Sequence, residues 1–247
     1  MVVDLEIREC TTLDEMAACV QLQRVVFPLP EAEISPVRHF VVTKNAGGFA
    51  LGAFDGNRLA GFSLSVPAFL RGERAFYSHM TAILPEYQSH GIGARLKWAQ
   101  RERAMAAGVN YIKWTFEPVK ARNAYFNLEK LGATVCEFRE NFYGIDYATA
   151  PEFRKGFASD RLFAEWDIAS EKVATLAKGD TFSEPHPPVA NIEIINDWPG
   201  LVAEDPERAL DMQSRIREEF LTAFGFGFVC RGFYRDEERP AFLLYRS

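Results

Sequence analysis

A largely apolar run that stops at a proline, followed by a glycine-spaced turn and a helix, is the stretch of this chain that most restricts its fold. Ala75 to Leu84 is the apolar run, and Pro85 ends it as a proline ends a buried strand. Gln88-Ser-His-Gly91-Ile-Gly93 comes next, and beyond the glycines Ile92, Leu96, Ala99 and Ala107 recur at helical spacing as far as Gly108. Strand, glycine turn and helix in that order predict an α/β chain. Glycines at such a turn let a ligand approach the backbone closely, and the first amides of the helix point at it from the end where the helix dipole favours negative charge. A phosphate-binding helix N-terminus is therefore expected. The spacing is that of neither a dinucleotide fingerprint nor a nucleotide-triphosphate loop, since Gly-x-Gly-x-x-Gly and a closing Gly-Lys-Ser/Thr are both missing.

The flanking elements follow from local pattern. Leu5 to Arg8 reads as a strand, and Thr12 with Glu15 forms a Thr-x-x-Glu capping box for a helix with Leu13, Met16, Ala17, Val20 and Val25 on one face, stopped by Pro28. A short helix is expected from Pro36 to Lys44. Phe49 to Phe54 and Leu59 to Val66 read as a hairpin across Asp55-Gly-Asn-Arg58, with Pro67 to Arg74 as a connection at the sheet end. Val109 to Phe116 is the next strand, Ala121 to Leu131 the next helix, ended by Gly132, and Val135 to Phe138 adds a strand. Past residue 150, Leu162, Ala164, Trp166 and Ile168 alternate as a half-buried strand, and the proline-rich Glu184-Pro-His-Pro-Pro188 separates it from Ile192 to Ile195. Asp205-Pro206 opens a helix through Phe224, and Phe228 to Tyr234 and Ala241 to Tyr245 close the chain as a strand pair.

The chain has 247 residues, 48% of them hydrophobic, enough for one large domain or two small ones with a substantial core. No apolar run approaches eighteen residues, and Met1-Val-Val-Asp-Leu-Glu lacks the regions of a secretory signal, so a cytoplasmic protein without a membrane partner is expected. Cys10, Cys19, Cys136 and Cys230 have no metal-ligand spacing, which predicts reduced, mostly buried thiols and no metal. A net charge of -6 with no long basic run argues against a nonspecific nucleic-acid surface.

Gln88, Gly91 and Gly93 match the Arg/Gln-x-x-Gly-x-Gly/Ala pattern of the GCN5-related N-acetyltransferase superfamily in place, and Asn123 to Gly132 resembles the second half of the same cofactor-binding core. The element order over residues 5 to 147 resembles that superfamily as well. Tyr77-Ser-His79-Met80, Thr115-Phe-Glu-Pro-Val-Lys-Ala-Arg-Asn-Ala124, Leu131-Gly-Ala133, Asn141-Phe-Tyr-Gly144, Asp160-Arg-Leu162, Arg215-x-Arg217 and Phe224-Gly-Phe-Gly227 resemble a subgroup of large bacterial acetyltransferases, some of them associated with N-succinylation of amino acids. The resemblance implies an acyl-CoA N-acyltransferase fold with a mixed central sheet. It also implies a core over residues 1–150 and a structured α+β extension over 151–247 that packs on the core or on a partner subunit.

Acyl transfer from coenzyme A to an amine requires placement, a proton acceptor, donors for the carbonyl oxygen and a proton for the leaving sulfur. The resemblance implies that the amides of Ser89, His90, Gly91, Ile92, Gly93 and Ala94 hold the diphosphate. Gln88 supports the loop or touches a phosphate, and the backbone of Met80, Ala82 and Leu84 binds the pantetheine arm between splayed strands. Asn123 is a helix-start or cofactor-side polar residue. Many superfamily members protonate the thiolate with the tyrosine of Tyr-Glu-Lys-Leu-Gly, but here Leu128 precedes Glu129-Lys130-Leu131-Gly132. Tyr125 and Tyr143 are then the candidate acids, each with core packing as its ordinary alternative. His79, which titrates near neutral pH, and Glu117, at a strand end, are the candidate bases. Arg71, Arg74, Arg122, Arg215 and Arg217 are candidate clamps for a substrate carboxylate, and Lys97 and Arg101 are expected on a solvated face of the central helix.

The expected activity is CoA-dependent N-acylation of a small amino acid or related amine, with acetyl-CoA or succinyl-CoA as donor. Transfer to a protein lysine or an antibiotic-like amine, and a nonenzymatic acyl-CoA-binding role, are the alternatives. Phe220, Phe224, Phe226 and Phe228 predict a cover over the acceptor side of the cleft or a homodimer interface, with packing within the extension as the simpler alternative.

Overall fold

The structure is a computed structural model that describes residues 5–149 and 154–247, and the expected domain boundary at residues 150 and 151 lies outside the described residues. The described residues fall into two compact units, 5–113 with 148–149 and 114–147 with 154–247. The division passes through one strand. The architecture is mixed α/β.

The first unit runs β1 (Glu6–Glu9), α1 (Leu13–Val26), α2 (Val37–Asn45), β2 (Phe49–Asp55), β3 (Arg58–Leu70), β4 (Glu73–Ile83), α3 (Ile92–Ala106) and the opening of β5 (Tyr111–Phe116). Its strands lie in the order β1-β2-β3-β4-β5, antiparallel except that Ala75–Tyr77 of β4 pair in parallel with Tyr111–Lys113. One face is closed by α1 and α2 over a core that includes Met16, Cys19, Leu22, Phe40, Phe54, Phe62, Leu64 and Ala82.

β3 is longer than the sequence pattern predicts. It continues through Pro67, which lies opposite Phe76, and turns at Arg71-Gly72, both with positive φ (52° and 83°) as a tight hairpin requires. The proline is tolerated because the pairing of β2 ends at Ser65, leaving β3 a neighbour on one side only. The face of α3 is a second departure from expectation. Lys97 and Arg101 are buried, not solvated: Lys97 Nζ donates to Ser78 Oγ at 2.8 Å beside Gln100, whose Nε2 reaches Ser65 Oγ at 2.7 Å. Burial holds the Lys97 ammonium down to a pKa of about 7.

The expected capping box is present. Thr12 Oγ1 accepts from Glu15 N at 3.2 Å, while Glu15 Oε2 accepts from Thr12 N at 3.0 Å and Thr11 N at 2.7 Å. The Thr12 amide first, then the Arg8 guanidinium, lower the Glu15 pKa to about 2. A carboxylate whose folded pKa lies below its ordinary value stabilises the fold above that ordinary value, 4.5, and loses the contribution as pH falls toward 2. Glu15→Ala should therefore cost about 1–2 kcal/mol at pH 7 and clearly less at pH 3, read by urea denaturation. An equal cost at both pH values would contradict the capping account.

The second unit holds the end of β5, α4 (Ala121–Tyr125), the π-helical segment Phe126–Lys130, β6 (Thr134–Arg139), β7 (Arg161–Asp167), α5 (Glu171–Ala177) and β8 (Ala190–Glu193). It closes with α6 (Trp198–Glu204), α7 (Pro206–Gly225), β9 (Phe228–Tyr234) and β10 (Ala241–Arg246). Its strand order is β5-β7-β6-β9-β10-β8. The helix expected over 121–131 is thus α-helical for five residues and then widens. Trp166 is fully buried, meets Trp114 edge-on, and donates Nε1 to Leu131 O at 2.6 Å. Phe220 is also fully buried, stacked on Phe138 and edge-on to Phe242, whereas Phe226 is 74% exposed. Asp160, 1% exposed, receives Arg217 through Nε at 3.0 Å and a second guanidinium nitrogen at 3.1 Å, together with the Asn141 amide at 2.9 Å. Removing either member of such a buried pair leaves a charge uncompensated, so the Asp160 and Arg217 blocks hold β7, α7 and the turn after β6 together.

Candidate active site

The glycine turn opens directly onto α3. Gly91 is the residue before the helix, with φ 75° and no side-chain cap on the helix amides. Ser89 also adopts positive φ, 65°, so the backbone at 89–91 twice enters the left-handed region that turns successive amides to one side. A Cβ built on Gly91 or Gly93 would meet nothing within 4 Å. The first amides of α3, at Ile92, Gly93 and Ala94, therefore face open space. Gln88 is tied back: its Nε2 donates to Ile83 O at 3.0 Å, bracing the turn against the end of β4. His90 is exposed, and its Nδ1 lies 2.7 Å from Gln88 O.

The β3 ladder decides which backbone groups of β4 are free. Leu84 N donates to Ala60 O at 2.9 Å, and the register pairs Ala82 with Phe62 and Met80 with Leu64. In an antiparallel ladder hydrogen-bonded pairs recur every second residue, so the amides and carbonyls of Met80, Ala82 and Leu84 point at β3. Thr81 and Ile83 point away from it. The backbone groups not engaged by β3 are therefore those of Thr81 and Ile83, one residue of register away from the expected Met80, Ala82 and Leu84.

At His79 the ladder is irregular. Met80 lies opposite Leu64 and Ser78 opposite Ser65, so His79 is the extra residue of a β-bulge, a device that re-aims a side chain. Its ring stacks on His39 of α2, centroids 5.5 Å apart, and its Nε2 lies 3.5 Å from Ser35 Oγ. The residue keeps an exposed side, yet the surrounding protein desolvates the ring, and this together with the neighbouring His39 lowers its pKa below the ordinary 6.5. Both effects favour the neutral imidazole. His39 and Ser35 had no sequence signal, being 40 and 44 residues upstream of His79 and outside its strand. His39 Nε2 is buried without a hydrogen-bond partner among the described residues.

The other acid, base and polar candidates, Glu117, Asn123, Tyr125 and Tyr143, lie in the second unit. Glu117 is ion-paired with Lys120. Asn123 is exposed within α4, its amide donating to Lys120 O at 3.0 Å. Tyr125 is half-buried, with Lys130 Nζ 5.4 Å and the Arg235 guanidinium 5.3 Å from its ring centre, and its hydroxyl has no hydrogen bond among the described residues. Tyr143 is 41% exposed, stacked on Tyr147 and lying under the Arg161 guanidinium. Leu128 is fully buried, so the position that carries a tyrosine in the superfamily pattern is here a core residue. Of the arginines, Arg217 is committed to Asp160, and Arg215 to Glu219 and the Glu193 carbonyl. Among the described residues Arg74 and Arg122 are exposed and make no ion pair.

Residues 16–133 match the family model of the acetyltransferase (GNAT) family. That stretch is a GNAT acetyltransferase domain. It contains the glycine turn, His79, Glu117, Asn123 and Tyr125, and ends before Tyr143. Solved structures of similar fold include a GNAT-family protein from Desulfovibrio desulfuricans, with a TM-score of 0.55 and 14% identity, covering 67% of this chain and all of that one. The ribosomal-protein-S18-alanine N-acetyltransferase of Escherichia coli has a TM-score of 0.52 and 16% identity, covering 68% of this chain and 97% of that one. YncA from Salmonella typhimurium, solved with its cofactor acetyl-CoA, has a TM-score of 0.53 and 14% identity, covering 68% and 96%. At these identities the likeness is one of fold. No curated protein matches the chain.

Proposed function

We propose that this GNAT protein is an acyl-CoA-dependent N-acyltransferase that modifies the amino group of a small amino acid or related amine, with succinyl-CoA or acetyl-CoA as donor. The observation that carries the reading is the uncapped N-terminus of α3, whose glycines leave room for a diphosphate against the amides. The residues present fit the group: the amides of 89–94 would hold the diphosphate, Gln88 braces the turn through the Ile83 carbonyl, and the outward backbone of Thr81 with the Ile83 amide suits the pantetheine amides.

Bound acyl-CoA supplies an acyl carbon activated as a thioester. In this reading neutral His79 accepts the proton of the acceptor ammonium, and its place at the bulge presents the ring off the regular ladder. With Leu128 in the core, Tyr125 or Tyr143 protonates the departing sulfur. Both hydroxyls are without a hydrogen bond among the described residues, Tyr125 half-buried between Lys130 and Arg235 and Tyr143 under the Arg161 guanidinium. Glu117, tied to Lys120, is the weaker base. Arg74 and Arg122, which make no ion pair among the described residues, could meet a distal carboxylate, and this supports succinyl beside acetyl as donor. The functional boundary is placed near residue 150. A cytoplasmic homodimer, without nucleic-acid or membrane partners, completes the reading. The exposed Phe226 and Leu221 at the end of α7 support self-association, and among the described residues no helix is long and apolar enough to cross a membrane.

The test is a donor competition with one acceptor panel of amino acids in both stereoisomers, a lysine peptide and an aminoglycoside, followed by thiol release and product mass. Succinyl-CoA should give the larger kcat/KM and an N-succinyl amino acid. Preference for acetyl-CoA overturns the donor. Turnover confined to the peptide or the aminoglycoside overturns the acceptor, and binding without turnover on any acceptor overturns the enzyme.

A further inference from the structure

Within the second unit, the π-helical segment, α5, the proline-rich 184–188 connection, β9 and β10 enclose a cavity of about 380 Å³. Two of its charges cancel internally: Lys172 Nζ donates to Glu184 Oε1 at 2.8 Å and to Arg231 O at 2.5 Å, and both side chains are largely buried. Three groups are left with unused capacity. Glu129 accepts the Phe233 amide through Oε1 at 2.6 Å but has no cationic partner among the described residues. Arg231 is half-buried, and its guanidinium has no carboxylate partner among them. Tyr245 is only 7% exposed, yet its hydroxyl makes no hydrogen bond among them.

Gly232 fits these groups together. A Cβ there would lie 3.2 Å from Glu129 Oε1 and 3.3 Å from the Tyr245 hydroxyl, so the absent side chain gives both groups access to the same space. Burial first, then the carboxylates of Glu184 and Glu129, raise the Tyr245 pKa, which keeps the phenol protonated and able to donate. The remaining wall is mixed: Leu176, Phe182, Leu243 and prolines that have no N–H to offer are apolar, and Ser183 and His186 add polar groups at the 182–188 connection. A cation and an anion that are both unpaired among the described residues, with a buried neutral donor between them and apolar side chains beside them, are complementary to a zwitterion. A simple anion would face Glu129, and a simple cation would face Arg231.

We propose that this cavity binds a free α-amino acid with an uncharged apolar side chain, its carboxylate on Arg231 and the Tyr245 hydroxyl, its ammonium on Glu129, and its side chain against Leu176, Leu243 and the prolines. All of these groups belong to the second unit, so the inference stands apart from the glycine turn and His79.

Calorimetry on the full chain, with leucine, leucinamide and 4-methylpentanoate as probes, tests it. Leucine should bind, and the amide and the acid, each lacking one charge, should bind at least about tenfold more weakly. Tyr245→Phe should weaken leucine about tenfold and Arg231→Met more, in variants whose thermal unfolding is unchanged. Absence of leucine binding overturns the site. Equal binding of either single-charge analogue overturns the zwitterion, and leucine affinity unchanged in both folded variants places any binding elsewhere. If Arg231→Met fails to fold, Glu129→Gln carries the same comparison on the ammonium side.

Discussion

Gly93→Val should lose at least about 100-fold in affinity for coenzyme A while unfolding at nearly the temperature of the wild type. The expectation rests on two separate observations. A Cβ at Gly93 meets no protein atom within 4 Å, and Gly93 does not use the left-handed region, so a larger residue neither clashes nor strains the second position of α3. Replacing a helical glycine is, if anything, mildly stabilising. The same side chain fills the space in front of the Ile92, Gly93 and Ala94 amides. Losing two charge-assisted hydrogen bonds there costs about 3 kcal/mol or more, which is the stated factor. Gly91→Val is the poorer test, because φ 75° forces a β-branched residue into strain and mixes a folding defect with the binding loss. Calorimetry with coenzyme A alongside circular dichroism separates the two glycines. Wild-type affinity in folded Gly93→Val would remove the diphosphate from this turn.

The parts of this fold that were legible in the sequence are those decided within a few residues. The capping box at Thr12 and Glu15, the Asp55–Arg58 hairpin turn, the Asp205 cap of α7 and the glycine turn before α3 each depend on local chemistry, and each has its expected form. Features decided by what lies across space were misread. Whether Pro67 ends a strand depends on where the neighbouring strand stops, and whether Lys97 is solvated depends on Ser78 and Ser65 across the layer. α5 and α6, seven residues each, were missed because their Ser170 and Asp197 caps precede runs too short for a periodic apolar face. At the site, one residue of register separates Thr81 and Ile83 from Met80 and Ala82. The bulge that lifts His79 out of the ladder, and the His39 ring stacked on it, depend on strand pairing and helix docking together.

That local geometry gives the second large expectation. His79→Gln should lower kcat/KM about 10²–10⁴-fold while leaving coenzyme A affinity unchanged, since the side chain is assigned to the acceptor's proton and not to the diphosphate. The pH profile supplies the sign. Desolvation and the adjacent His39 both disfavour the imidazolium, so the wild-type rate should rise with pH along a limb whose midpoint lies below 6.5, the ordinary histidine value. Glutamine keeps a polar side chain of similar reach but cannot titrate, so this limb should vanish in the variant. His39→Leu should instead move the limb upward, because the charge that opposes protonation of His79 is gone, and should leave most of the plateau rate in place. A structural role for His79 would lower stability or coenzyme A affinity without removing the limb. An acid limb that survives His79→Gln belongs to another group, and wild-type kcat/KM in that variant would leave the acceptor ammonium to lose its proton to water.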